Sequence, residues 1–257
     1  MRVDLVLAPN PGPFTGPGTN SYVISSAGTA VVLDPGPVIE EHVVAIERAV
    51  AAHTPLAVLV THTHPDHAPA ANLLGGRLGV PVLGYAAGPE FEPTHTLGDG
   101  DMLEVGETAL VAVHTPGHTP DHLCYRLGDV LFTGDHIMGG STVILEDAAA
   151  YLQSLRRVES IAPRHLYPGH GPQIPEASQA ITEYIEHRLE RETQIVAAVG
   201  AGAETSLDIV RIVYRDVSPE LQIAASLQVD VQLRKLAQEG RVILSKDESG
   251  AVRVSPA

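Results

Sequence analysis

The chain has 257 residues, of which 44% are hydrophobic and 18% are charged, and its formal net charge is −15. A chain of this length can bury a core without covalent staples, and its single cysteine, Cys124, excludes an intrachain disulfide. Such an acidic chain is a poor generic ligand for nucleic acid, because affinity for phosphate backbones comes largely from Lys and Arg. The charge is uneven, since residues 203–257 carry −1 and residues 1–202 carry the remaining −14.

The ends and hydropathy of the chain bear on its location. No run of about 18 apolar residues occurs, so the sequence predicts no membrane-spanning helix. Residues 1–18 lack the long apolar stretch of a secretory signal peptide, and prolines interrupt them early. We therefore expect a cytoplasmic protein without membrane contact, and the pattern leaves its oligomeric state open.

The first hundred residues alternate short apolar runs with Gly- and Pro-rich turns, which is typical of an α/β fold. Strands are predicted at 22–24, 29–33, 56–60 and 81–84, and helices at 38–52 and 68–78. The run at 56–60 is apolar throughout, the pattern of a strand buried on both faces. It leads directly into residues 61–67, whose sequence is THTHPDH.

The same pattern continues in the middle of the chain and changes after residue 200. Strands are predicted at 101–105, 109–113, 123–127, 130–133 and 165–167, and helices at 148–160 and 176–199. Three helices, at 206–214, 219–227 and 229–239, then precede a hairpin of 242–244 and 251–254. Helices followed by a hairpin indicate a small winged-helix module. We therefore predict a catalytic domain at 1–200 and a winged-helix-like domain at 203–257.

Polar residues that can bind metal follow four of the predicted strands, and loops at strand ends are where α/β folds build active sites. The candidate metal ligands are His62, His64, Asp66, His67, His118, Asp135 and His170. Zinc in proteins takes neutral imidazole nitrogens and carboxylate oxygens. A lone histidine is usually structural, but this many buried imidazoles and carboxylates would be costly without a metal.

The spacing of these residues predicts two metal ions. His62 and His64 share one side of an extended segment, so they can bind one ion, while Asp66 and His67 follow the bend at Pro65. The set then divides evenly into His62, His64 and His118 for the first ion and Asp66, His67 and His170 for the second. Asp135 has two carboxylate oxygens and can bridge both ions.

These motifs resemble a known superfamily. THTHPDH at 61–67, GH at 117–118, TGD at 133–135 and PGHG at 168–171 resemble, in order, the metal motifs of the metallo-β-lactamase superfamily. The resemblance covers about residues 15–175. It implies an α/β fold with a four-layer αββα sandwich, followed here by the small winged-helix-like domain, and a site at one edge of two packed sheets. It also implies that Asp34 supports the metal loop from behind.

A narrower resemblance involves residues 18–22, 114–122, 132–135 and 140–143 together with the C-terminal helical module. These segments are similar to the beta-lactamase-like protein 2 family, whose members are described as endoribonucleases that cleave single strands and carry a winged-helix-like domain. The resemblance implies an RNA substrate for this chain. One residue, His136, departs from that family's pattern.

Two ions would activate a water for hydrolysis. Zn²⁺ is the expected ion, and a site of this kind can also bind Mn²⁺ or Fe²⁺. Asp66 and Asp135 are the predicted catalytic carboxylates. The first hypothesis is a dinuclear zinc-dependent phosphodiesterase or endoribonuclease acting on single-stranded RNA. The second hypothesis, which the net charge favours, is a hydrolase of small-molecule esters or thioesters that resembles glyoxalase II.

Three more histidines and the C-terminal module allow further hypotheses. His114, His122 and His136 are candidate proton donors to the leaving group, although a supporting or solvent-facing role is the more frequent one for each. In a third hypothesis on function the C-terminal module serves as a binding or dimerisation element. Sequence-specific DNA binding is not expected, because 229–239 offers only Arg234 and Lys235 as cations.

Overall fold

A computed structural model describes residues 1–140, 142–215 and 222–257 of the chain. The first part contains β1 (Arg2–Leu7), β2 (Asn20–Ser26), β3 (Thr29–Leu33), α1 (Glu40–Val50), β4 (Thr54–Leu59), α2 (Ala70–Leu78), β5 (Val82–Gly84) and β6 (His95–Thr96). The second contains β7 (Met102–Val105), β8 (Thr108–His114), β9 (Leu123–Leu127), β10 (Val130–Gly134), α3 (Ala148–Ile161), β11 (His165–Pro168) and α4 (Ala177–Gly200). The last contains α5 (Ser206–Val213), α6 (Gln222–Gln238), β12 (Val242–Lys246) and β13 (Val252–Pro256).

Two sheets form the centre of the domain predicted at 1–200. The first has the order β1-β2-β3-β4-β5-β6, antiparallel from β1 to β3 and parallel from β3 to β6. The second has the order β11-β10-β9-β8-β7, in which only the β10–β11 pair is parallel. Leu33 and Leu59 of the first sheet pack with Leu123 and Phe132 of the second. The two sheets therefore share one core.

Helices cover the outer face of each sheet. Alternate residues of a strand point to opposite faces, so Val23 and Val58 pack with Ile46 of α1 and Leu74 of α2. On the far side, α3 and α4 pack against the second sheet in a separate cluster around Tyr151. The predicted four-layer αββα sandwich is thus confirmed.

Most strands and helices expected from the patterning are present, and the differences have local reasons. β1 was not predicted, because Asp4 interrupts its apolar run and the strand lies half exposed at the sheet edge. The two helices expected at 219–227 and 229–239 form one helix, α6, from Gln222 onward. No Gly or Pro separates them, so nothing in the sequence stops the helix. Residues 219–221 lie outside the described part of the chain.

The C-terminal domain shares α4 with the catalytic domain. Ile195 and Val199 at the end of α4 belong to the core formed by α5, α6, β12 and β13. Buried Lys235 of α6 is ion-paired 2.7 Å from Glu192 of α4, so it is not free to contact a nucleic acid. The domain boundary predicted at 200–203 therefore follows a helix that serves both cores.

In the described ranges, no helix combines the length and the apolar character needed to cross a bilayer.

Candidate metal centre

The seven candidate ligands lie in loops at one edge of the sandwich. His62, His64, Asp66 and His67 follow β4 of the first sheet, whereas His118 follows β8, Asp135 follows β10 and His170 follows β11 of the second. The two packed sheets thus bring together side chains that are far apart in the sequence. This is the edge at which the superfamily resemblance places the site.

His62, His64 and His118 form the first group. Nε2 of His62 lies 3.0 Å from Nδ1 of His64 and 3.2 Å from Nε2 of His118, and the last two nitrogens are 3.1 Å apart. Four ligands around a tetrahedral zinc, each about 2.0–2.1 Å from the ion, lie about 3.3 Å from one another. The three nitrogens therefore have the mutual spacing of ligands to one ion.

Asp66, His67 and His170 form the second group. Nε2 of His170 lies 3.1 Å from Oδ2 of Asp66 and 3.1 Å from Nε2 of His67. The ligand atoms of all three residues lie within 4.8 Å of one another, as do those of the first group. Both groups correspond to the two sets expected from the spacing.

Asp135 lies between the groups. Its Oδ1 is 3.3 Å from Nε2 of His67 and 3.4 Å from Nε2 of His170, whereas its Oδ2 is 3.7 Å from Nε2 of His118. Asp135 also falls within 4.8 Å of His62 and His67 together, one histidine from each group. Within the described residues, its buried Oδ1 accepts no hydrogen bond. A buried carboxylate oxygen in this position fits a bridging ligand.

The remaining ring nitrogens of four histidines are held by acceptors. Nδ1 of His118 donates to the Ile144 carbonyl at 2.7 Å, and Nδ1 of His170 donates to the Gly18 carbonyl at 3.2 Å. Nδ1 of His67 lies 3.0 Å from Asp34 Oδ2, and Nδ1 of His62 lies 3.0 Å from Thr61 Oγ1. Such bonds fix the tautomer and turn the free nitrogen toward a metal. The arrangement thus fits a metal centre.

Asp34 organises the loop behind the site. Its Oδ1 accepts the Thr61 backbone N–H at 2.7 Å, and its Oδ2 accepts the Thr61 hydroxyl at 2.8 Å in addition to the His67 imidazole. The residue is buried and has a φ of 49°, in the left-handed region that a non-glycine residue seldom adopts. Strained backbone of this kind is concentrated at functional sites.

Two glycines allow the loops to come this close. A Cβ on Gly169 would lie 2.7 Å from Cε1 of His67 and 2.8 Å from Oδ1 of Asp135. Gly134 has a φ of 47°, and a Cβ there would lie 2.7 Å from the Thr61 hydroxyl. The TGD and PGHG motifs therefore need glycine for space as well as for conformation.

Burial and neighbouring charges set the protonation of these groups. Burial lowers the pKa of His118 and holds the pKa of His62 well below its usual value, which favours the neutral imidazole that binds metal. The pKa of His67 is raised despite burial, because the carboxylates of Asp135 and Asp34 lie beside it. Burial would raise the pKa of Asp66, but its hydrogen bond to His170 and the charges of His67 and His170 together outweigh burial and lower the pKa to about 2.

A cleft of about 320 Å³ opens on the metal cluster. His64, Asp66, His118 and Asp135 form its polar floor, and the rest of its wall includes Thr142. The apolar lining consists of Pro13, Phe14, Pro65, Met138 and Ile144. The described lining of the cleft contains no Lys or Arg.

The three candidate proton donors do not line this cleft. His122 is buried, and its Nε2 accepts the backbone N–H of Asp135 at 3.2 Å, so it helps to position that carboxylate. His136 is buried against the edge of the Tyr151 ring, and His114 stacks on Tyr85. Of the three, His122 is thus the one that contacts a candidate ligand, and none of them reaches the described lining of the cleft.

Some supporting contacts could not be read from the sequence. Asn20 donates through its amide to the carbonyls of Pro168 and Gly171, both at 2.9 Å, and so shapes the PGHG loop. The Gln228 amide of α6 exchanges two hydrogen bonds with the Leu145 backbone, next to the carbonyl that orients His118. The C-terminal domain thus contacts the segment that holds a candidate ligand.

Comparison with known proteins gives the family of each part of the chain. Residues 14–170 match the metallo-beta-lactamase superfamily, and residues 205–250 match the beta-lactamase associated winged helix domain. The beta-lactamase-like protein 2 homolog of Caenorhabditis elegans is 32% identical, with 93% of this chain and 85% of that protein covered. The atrochrysone carboxyl ACP thioesterase of Aspergillus chevalieri is 32% identical, with 94% and 82% covered.

Solved structures extend the comparison to three dimensions. A beta-lactamase domain protein from Burkholderia ambifaria superposes with a TM-score of 0.86 at 22% identity, over 99% of this chain and 91% of that one. A protein solved in a di-iron-bound form has a TM-score of 0.57 at 28% identity, over 69% and 96%. The chain therefore belongs to the metallo-β-lactamase superfamily, as a metal-dependent hydrolase whose catalytic domain is followed by the associated winged-helix domain.

Proposed function

We propose that this protein is a dinuclear zinc-dependent hydrolase that cleaves acyl thioesters. His62, His64 and His118 would hold one ion, Asp66, His67 and His170 the other, and Asp135 would bridge them. The spacing of the two groups supports this assignment, as does the similarity to a protein solved with two iron ions. Imidazole and carboxylate ligands favour Zn²⁺, and they can also hold Fe²⁺ or Mn²⁺.

The reaction adds water to the acyl carbon and breaks the C–S bond, so that a carboxylic acid and a thiol are released. When bound, the two ions lower the pKa of a water and polarise the carbonyl oxygen. Asp66 lines the cleft with its side chain 26% exposed, so it can orient the attacking water and accept its proton. Its low pKa keeps its carboxylate charged at neutral pH, as metal binding and the orientation of a water require. A departing thiolate needs no proton donor, which agrees with a cleft that His114, His122 and His136 do not line.

The choice of an acyl thioester as the substrate rests on the apolar lining of the cleft. Phe14, Met138 and Ile144 suit an acyl chain, and the described lining offers no Lys or Arg that would bind a phosphodiester beside the metal ions. The charge of −15 also repels a polyanion. A thioesterase at 32% identity over 94% of the chain supports the same substrate class.

Single-stranded RNA is the second candidate substrate. One observation favours it: the chain is 32% identical over 93% of its length to a beta-lactamase-like protein 2 homolog, the family whose resemblance implies RNA cleavage. The winged-helix domain, with a charge near −1, would be the least repulsive surface for such a strand.

A side-by-side assay tests the proposal. Purified, zinc-loaded protein is incubated with a panel of acyl thioesters and with single-stranded RNA, and Asp135→Ala is the matched control. We expect release of free thiol by the wild type and its loss in the variant. RNA cleavage without thioester turnover would overturn the proposal in favour of the second candidate, and RNA cleavage that persists in the variant would indicate a contaminating nuclease.

A further inference from the structure

A second groove continues from the cleft toward the C-terminal domain. Phe14, Thr142 and Ile144 line both cavities, and the second one has a volume of about 330 Å³. Its other wall comes from α4, α6 and the residue after α5. A substrate whose acyl group occupies the cleft can therefore extend the rest of its length into this groove.

Arg188 of α4 lines the groove as a buried cation. It is only 8% exposed, its Nη2 donates to the Val143 carbonyl at 2.7 Å, and its guanidinium carbon lies 5.0 Å from the Tyr151 ring centroid. Within the described residues, its Nε has no hydrogen-bond partner and no carboxylate forms an ion pair with it. A buried charge without a counter-ion is costly, so the described part of this site suits an anionic group of a ligand.

A second arginine adds positive charge to the groove. Arg191 lies one turn further along α4, 4.2 Å from the Tyr214 ring centroid, and donates to the Val213 carbonyl at 3.1 Å. In the ranges that the structure covers, no carboxylate forms an ion pair with it. His187 also lines the groove, and burial together with the charges of Arg188 and Arg191 lowers its pKa, which favours the neutral imidazole.

Gln232 of α6 gives the groove a second unsatisfied group. Its side chain is 3% exposed, and its Oε1 has no hydrogen-bond donor among the residues described. A buried acceptor left in this state needs a donor from a ligand or water. The groove therefore presents a cation pair and, from the opposite helix, an acceptor for N–H or O–H.

We propose that this groove binds the phosphopantetheine arm of the substrate, an inference that rests on the thioesterase function proposed above. The phosphate would pair with Arg188 and Arg191, and an amide N–H or the hydroxyl of the arm would donate to Gln232 Oε1. The arm ends in the thiol that forms the thioester, so it connects an anion in the groove to the acyl carbon in the cleft. Coenzyme A and an acylated carrier protein both supply this chemistry.

The number of cations separates this ligand from RNA. Proteins that follow a single strand place cations along the path of the backbone and stack its bases on aromatic rings. Here the cations within the described lining are Arg188 and Arg191, which lie about one turn apart on α4. One cluster of this size suits one phosphate group.

Direct binding gives the first test. Titration calorimetry compares phosphopantetheine with pantetheine, which lacks the phosphate, on the zinc-loaded protein. A charge-assisted contact predicts about tenfold tighter binding of phosphopantetheine to the wild type. Arg191→Gln is expected to remove this preference, whereas Arg211→Gln, which removes an exposed charge from α5, is expected to keep it. Equal affinity of the wild type for the two compounds would overturn the proposal.

Kinetics give the second test and separate the two sources. Acyl-coenzyme A, acylated carrier protein and acyl-pantetheine are hydrolysed by the wild type, Arg188→Gln, Arg188→Lys and Arg191→Gln. The wild type should have a KM about tenfold lower for a phosphorylated substrate, and this ratio should fall toward one in both Gln variants and recover in Arg188→Lys. The phosphorylated substrate with the lower KM identifies the source. If Arg188→Gln does not fold, Arg191→Gln carries the comparison.

The outcomes distinguish the groove from the proposed function. Hydrolysis of all three thioesters with equal KM overturns the groove proposal and leaves the thioesterase intact. Absence of turnover on every thioester overturns the proposed function itself. RNA cleavage that is lost in Arg191→Gln would instead assign the groove to a nucleic acid, and would equally overturn phosphopantetheine as its ligand.

Discussion

Asp34 touches no part of the cleft, yet its replacement by Asn is expected to weaken metal binding. The substitution preserves the shape of the side chain and removes its charge. One of its two oxygens becomes an NH₂ group, which cannot accept the hydrogen bonds that Thr61 and His67 now donate. The His67 ring would then lose the acceptor that turns its Nε2 toward the metal cluster.

The size of the effect follows from these contacts. Hydrogen bonds to a buried charge contribute about 1.5–3 kcal/mol each, and loss of a carboxylate that orients a metal-binding histidine costs about 10–100-fold in metal affinity. That range corresponds to about 1.4–2.8 kcal/mol, close to one such bond. We therefore expect Asp34→Asn to weaken zinc binding by at least about tenfold.

The assay is zinc competition against a chelator of known affinity, with circular dichroism to verify the fold. Asp101→Asn is the matched control, because it makes the same chemical change at an exposed residue that caps the Gly98 N–H. The control should bind zinc as the wild type does. A folded Asp34→Asn protein with unchanged zinc affinity would refute the role assigned to Asp34.

Three further predictions concern stability and reactivity. Gly169→Ala would place a Cβ 2.7 Å from Cε1 of His67, so thermal unfolding should show a loss of about 1–3 kcal/mol and zinc content should fall, whereas Gly76→Ala has open space around it and should not destabilise. Burial raises the pKa of Cys124 to about 12, so iodoacetamide at pH 8 should label only unfolded protein, and fast labelling of folded protein would contradict its burial. The folded pKa of Asp66, about 2, lies below its unfolded value, so its charge stabilises the metal-free protein above about pH 4 and this contribution is lost as pH falls through about 2. The difference in urea stability between metal-free wild type and Asp66→Asn should therefore narrow between pH 6 and pH 3, and a constant difference would contradict the assignment.

The metal cluster could be predicted because much of its information is local. Residues 61–67 place four candidate ligands in one loop, and a buried strand before it fixes where that loop lies. His118, Asp135 and His170 each follow a strand and a glycine, so their convergence at one sheet edge could be inferred from the pattern and the superfamily resemblance. The grouping of ligands follows from this order along the chain.

The contacts that orient these ligands could not be predicted, because they depend on packing between distant segments. The Ile144 carbonyl that accepts from His118 lies 26 residues away and belongs to an irregular segment with no periodic pattern. The groove requires α4 and α6 to meet at a specific angle, and helical periodicity indicates which face is apolar but not which helix it contacts. The roles of Arg188 and Gln232 therefore could not be predicted from the sequence.

Strand β1 and helix α6 show two limits of sequence patterning. β1 lies at the sheet edge and is only half buried, so its apolar alternation is weak. The helix boundary expected near residue 228 does not exist, since Gln228 continues the helix and uses its amide to bind the Leu145 backbone. The polar residue at this position therefore marks a tertiary contact, and it does not mark the end of a helix.

The metal content of the purified protein tests the central claim most directly. Inductively coupled plasma mass spectrometry on the zinc-loaded wild type should give about two ions per chain, because the site offers two groups of ligands with Asp135 between them. His118→Ala and His170→Ala each remove a ligand from one group only, and each should retain about one ion. One ion in the wild type, or two ions in both variants, would contradict a dinuclear centre built from these seven residues.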